Sequence, residues 1–74
     1  MTDAEQAVLD IERQVWKHAG AKEDAIWASG TTPTRHYQTL NALLDRADAW
    51  EYAPAALDRA RAVRDRSRHR RRAA

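Results

Sequence analysis

Apolar residues recur at helical spacing along this chain, and each run is bounded by residues that start or stop helices. In the first run Ala4, Ala7 or Val8, Ile11 and Val15 form a stripe that Leu9 and Trp16 widen. Thr2 or Asp3 serves as N-cap, and Glu5 or Gln6 sits in the first turn, where a negative or polar group suits the positive end of the helix dipole. The pattern predicts a helix to about His18, ended by Gly20, with Lys17 and His18 at its negative end. A short second helix over about 21–28 turns Ala25 and Ile26 inward. A polar turn follows around Ser29 and Gly30: the glycine can take positive φ, Thr31 or Thr32 offers a hydroxyl cap, and Pro33 is preset for the first helical position.

From Pro33, the residues Tyr37, Leu40, Leu43, Leu44 and Ala47 share one face, which predicts a third helix over about 33–47. Residues 48–53 read as a linker or turn in which Trp50 and Tyr52 fold back over the core. Pro54 opens a fourth helix with Leu57, Ala60 and Val63 on one side, and beyond Val63 the apolar anchors stop. The expected architecture is all-α. A three- to four-helix bundle over residues 1–63 contains a helix-turn-helix, and residues 64–74 form an Arg-rich tail, helical at most near its start and disordered when free.

Composition limits what such a bundle can do. Of 74 residues 16 are Ala, which leaves fifteen bulky apolar side chains for a single small core, so stability is expected to be modest. Trp16, Trp27 and Trp50 read as anchors between helices, with one of the three as an exposed contact in the alternative. The absence of Cys excludes disulfides and thiolate metal sites. His18 and His36 are too isolated to assign as metal ligands, and His69 lies in the tail. No apolar run approaches a membrane span, and MTDAEQ lacks the character of a leader, so a cytoplasmic protein is expected. Catalysis finds no constellation: Ser29 and Ser67 have no partnered His and acid, and the acids of the first helix are read as solvated. The expectation is a protein that is not an enzyme and uses no cofactor.

Net charge divides the chain. Residues 1–58 hold five basic and ten acidic side chains, −5, whereas residues 59–74 hold eight Arg and one Asp, +7, which together give the overall +2. The predominance of Arg (11) over Lys (2), with the abundant Ala, is also what a GC-rich genome produces. A plain reading of the tail is a solubilising segment; the sharper one is attraction to a polyanion.

The outward face of the third helix carries Arg35, Gln38, Thr39, Ala42 and Arg46, and no Asp or Glu occurs from Ala25 to Leu44. These residue types fit a major groove: Arg bonds bidentately to guanine, Gln to adenine, Thr to base edges or phosphate, and Ala permits close approach. The expected DNA-binding set is Thr32, Thr34, Arg35, Gln38, Thr39 and Arg46, with Arg64, Arg66, Arg68, Arg70, Arg71 and Arg72 on the backbone or in a neighbouring groove. The plainer alternative is a helical bundle whose polar face is merely solvated.

Two segments, Glu12 to Lys17 with Gly20, Lys22 and Glu23, and Thr34 to Asn41, carry the patterns ERQ-x-W-K-x-x-G-x-K-E and T-R-x-Y-Q-x-L-N. Over roughly residues 8–46 the chain thereby resembles a family of small actinobacterial proteins described only as a domain of unknown function. That resemblance implies a helix-turn-helix-like fold, similar in layout to the DNA-binding part of sigma factors, and it brings no target or catalytic residue. The combined expectation is sequence-preferring binding of double-stranded DNA by a small transcriptional regulator or architectural factor, nucleoid-associated in the cell. The alternative is a protein-interaction module whose acidic body docks on a basic partner such as transcription machinery. Homodimerisation through Trp27, Trp50 or Tyr52 would suit paired half-sites.

Overall fold

The computed structural model describes the backbone of residues 1–73 and the side chains of residues 1–67. It is all-α, with five helices: α1 (Asp3–Arg13), α2 (Ala19–Ala28), α3 (Pro33–Leu43), α4 (Ala47–Tyr52) and α5 (Pro54–Ala73). Among the described residues there is no strand.

The helix starts follow local chemistry. Thr2 closes a capping box on α1, its Oγ1 accepting from the Glu5 N–H at 3.1 Å while the Glu5 carboxylate accepts from the Thr2 N–H at 2.8 Å. Thr32 caps α3 by accepting from the Arg35 N–H at 3.2 Å, and Pro33 takes the first helical position. Pro54 opens α5 in the same way.

The helix ends differ from the periodic pattern. The first helix stops at Arg13, five residues before His18. The Trp16 indole folds back and donates to the Ile11 carbonyl at 2.9 Å, a group that the Gln14 N–H also reaches, and this closes the helix end. Val15, expected in the inner stripe, is left almost fully exposed. Gly20 does not end α1 but sits in the first turn of α2, and His18 caps that helix, its Nδ1 accepting from the Ala21 N–H at 3.2 Å.

The third helix likewise ends at Leu43 rather than 47, because the indole of Trp50 donates to the Leu44 carbonyl at 2.9 Å and draws the chain into a turn. Residues 47–52 are then not a linker but the six-residue α4, held by the enclosure of Ala49. In α5 the backbone runs on as one helix past Val63 to Ala73. Arg and Ala are strong helix formers, and no Gly or Pro follows Pro54 to interrupt them.

The main core joins Val8 and Leu9 of α1, Leu40, Leu43 and Leu44 from α3 and its end, and Ala49, Ala53, Ala56 and Leu57 around the α4/α5 junction. Trp50, Tyr52 and Ala60 pack on its edge. Ile26 fastens α2, with 1% of its surface exposed. Three residues expected on apolar faces, Tyr37, Ala47 and Val63, are exposed, and the polar His36, which the apolar pattern passes over, takes a fully enclosed place on α3. Relative to Leu40, His36 is one helical turn earlier on the same face, so its burial follows from the packing of α3 on α1.

Candidate nucleic-acid interface

Residues 29–32 connect α2 to α3, and Gly30 makes the reversal with φ +94°, a conformation costly for any residue with a Cβ. The turn leaves Trp27 at the end of α2 more than half exposed beside the start of α3. Trp27, Gly30, Thr31, Thr32 and Arg35 line a shallow hollow of about 400 Å³.

Of the expected contact residues, Thr34, Arg35 and Gln38 are exposed on the first two turns of α3, and Thr39 is half-buried at the side. No ion pair or hydrogen bond involves the Arg35 guanidinium among the described residues. Thr32 is exposed, but its Oγ1 accepts the cap bond, which leaves its hydroxyl proton and one lone pair to offer a ligand.

Arg46 lies past the end of α3 and grips two acids. It meets Glu5 at 2.6 Å and, bidentately, Asp48 at 2.7 and 3.2 Å, which ties the start of α1 to the start of α4. Hydrogen bonds from Arg46 hold the Asp48 carboxyl below its ordinary range. The Glu5 carboxyl is also lowered, first by the Thr2 backbone N–H and then by the Arg46 charge.

On α5, Arg59 donates to the Glu12 carbonyl at 3.0 Å, and the Arg61 guanidinium lies 4.7 Å from the Trp50 ring centroid. Arg66 is exposed. Arg64 turns its Nε inward, where no acceptor reaches it within hydrogen-bond distance; the Asp65 carboxylate stands 3.9 Å away. The side chains of Arg68, Arg70, Arg71 and Arg72 lie outside the described residues.

A polar cluster behind this surface escaped the sequence pattern. Glu12, expected on the solvated side of the first helix, has only 11% of its side chain exposed. Its Oε2 stands 2.8 Å from His36 Nε2 and 2.9 Å from Lys22 Nζ, so one carboxylate joins α1, α2 and α3. Burial alone would push the Glu12 carboxyl up, but the hydrogen bonds from His36 and Lys22 outweigh it and hold it below its ordinary range. For Lys22 burial likewise opposes the charge, and the bond to Glu12 overcomes it and raises the ammonium.

Two signals in the sequence point to this cluster. Glu12 follows buried Val8 by one turn, and His36 precedes buried Leu40 by one turn. A carboxylate beside an imidazole resembles a general-base pair, but here the ring is enclosed, its Nε2 faces Glu12 and its Nδ1 has no partner. The cluster therefore braces the helices that present Arg35. Among the described residues no three His, Cys, Asp or Glu side chains gather for a metal ion, and no helix is long and apolar enough to cross a membrane.

The chain matches no curated protein and no solved structure. One family, described as "Protein of unknown function (DUF3263)", matches residues 1–73. Since that match spans nearly the whole length, the chain belongs to the DUF3263 family.

Proposed function

We propose that this protein binds double-stranded DNA with sequence preference, as a small transcriptional regulator or architectural factor, using α2 and α3 as a helix-turn-helix. The first two turns of α3 enter the major groove. Arg35 and Gln38 meet base edges there, Thr34 meets phosphate or a base edge, and the basic end of α5 adds backbone contacts.

The observation that carries this reading is the uncommitted Arg35. Arg46 is spent on Glu5 and Asp48, and Lys22 on Glu12, whereas Arg35 stands exposed within a stretch free of acids from Ala25 to Leu44. The exposed Trp27 and Thr34 flank it on the same end of the helix pair. Arg46, by contrast, is withdrawn from the contact set, since engaging DNA would break its bonds between α1 and α4.

The test is fluorescence anisotropy of the full chain with labelled duplexes over a salt series, after selection of a preferred site from random sequence. Arg35→Ala should cost about 1–3 kcal/mol on the selected site and relax one position of its preference. Ending the chain at Ser67 should weaken binding to all duplexes and flatten the dependence of log K on log salt. Duplex binding that is absent at low salt, or indifferent to both changes, would refute the proposal.

A further inference from the structure

A second concavity lies away from the first turns of α3. It is a groove of about 940 Å³ between the later turns of α3 and the middle of α5, closed at one end by the 14–16 segment after α1. Apolar side chains form much of its wall: Trp16, Tyr37, Leu40, Ala60 and Val63. Tyr37 is 43% exposed and Val63 56%, and Val15, between the lining residues Gln14 and Trp16, is 97% exposed. Of the five large apolar residues that the described fold leaves exposed, two, Tyr37 and Val63, therefore line this one groove. Clustering of that kind, rimmed by charge, marks a surface that another molecule covers.

The rim specifies the chemistry of the occupant. The Glu12 carboxylate is already engaged by Lys22 and His36, which leaves on the α5 side Arg64 and Arg59, one Nη of which donates to the Glu12 carbonyl, and Asp45 on the α3 side. Arg64 makes no hydrogen bond among the described residues and keeps 26% of its side chain exposed, so although its Nε is enclosed, the rest of its guanidinium can meet an incoming carboxylate. A phosphodiester strand would also meet it, but the strand would have to lie on Leu40 and Val63 and pass the carboxylates of Glu12 and Asp45. The apolar wall favours a protein segment, which can set apolar side chains against it and still bring carboxylates to the α5 side.

We propose that the α3/α5 groove docks an amphipathic helix of a partner protein, whose apolar face seats on Tyr37, Leu40 and Val63 and whose flanking acids meet Arg59 and Arg64. This is the helix-in-groove mode, in which anchors at i, i+3 or i+4, and i+7 enter an apolar trough. The site is separate from Arg35 and does not depend on the DNA reading; on a DNA-bound protein it would recruit a second protein.

The experiment uses a display library of peptides about five helical turns long, selected on the full chain and then measured by anisotropy as labelled peptides. Enriched sequences should share apolar residues at helical spacing with acids beside them. Val63→Glu, a change at an exposed position that leaves folding intact, should weaken them about ten-fold or more. Arg64→Glu should weaken them similarly and recover when the peptide acids become Lys, while Arg35→Ala changes nothing. Failure to enrich any such peptide, or equal binding by V63E, overturns the proposal. A dimer that V63E dissolves would assign the groove to a second copy of the chain. A loss of duplex affinity in V63E as large as in R35A would assign it to nucleic acid. Either also overturns it.

Discussion

Removing the Glu12 carboxylate should destabilise the protein more than any other single change to an acid in the described structure. His36 is fully enclosed and its Nδ1 already lacks a partner, so Glu12→Ala strips the ring of its remaining bond at 2.8 Å. Leaving a buried polar group unsatisfied costs about 1–3 kcal/mol. Loss of the partly exposed Lys22 pair adds about 0.2–1 kcal/mol. For a domain of this size a total of about 2–3 kcal/mol lowers Tm by about 10–20 °C. Thermal melts followed by far-UV circular dichroism at pH 7, with urea titrations beside them, measure it. Asp24→Ala, at an exposed acid of α2, serves as control. Glu12→Leu combined with His36→Leu should recover much of the loss, since both partners leave together. If Glu12→Ala falls within about 0.5 kcal/mol of the control, the usual spread for surface changes, or the double substitution shows no coupling, the bracing role is wrong.

Three further expectations follow from other contacts. Gly30→Ala should cost about 1 kcal/mol in the same urea titrations, and since nothing stands within 4 Å of the added Cβ, the whole loss comes from the backbone at φ +94°. Arg46→Ala should lower Tm and leave duplex affinity nearly unchanged, whereas Arg35→Ala should do the reverse; melts and anisotropy on one pair of samples separate them. Stability should also fall at both extremes of pH. Glu12 is held below its ordinary range, so its contribution is complete above the unfolded carboxyl's pKa and is lost as pH drops through the lower folded value. Lys22 is held above its range, so its contribution is complete below the unfolded ammonium's pKa and is lost as pH rises through the higher folded value. Urea midpoints across pH should show both limbs, and Glu12→Gln should flatten the acid one.

What local chemistry decides was legible in the sequence. Thr2, Thr32, Pro33, Gly30 and Pro54 act within one or two turns of themselves, and the structure uses each as its residue type suggests. What depends on distant partners was not. The break after Arg13 follows from an indole reaching back to Ile11, which periodicity does not register, so the stripe was extended to an exposed Val15. A helix as short as α4 exists through its packing rather than its propensity. His36 meets Glu12 across 24 residues and Arg46 meets Glu5 across 41, pairings that only the docking of α1 on α3 and α4 creates. The outward side chains of the first turns of α3 were readable because that helix starts where its cap says. Arg46 was misread because the same helix stops early.

The three enclosed alanines Ala49, Ala53 and Ala56 contribute little apolar area, and their effect is one of distance. They set how closely α4 and the start of α5 approach, and α5 in turn forms one bank of the groove that α3 faces. The width of that channel is thus gauged at a seam of methyl groups that do not themselves line it, the last of them one helical turn before Arg59 and Ala60, which do. A larger side chain at Ala56 would act as a wedge and splay the banks while leaving their surfaces unaltered. Affinity for whatever lies between them can accordingly be tuned from the interior, without changing a single contacting residue.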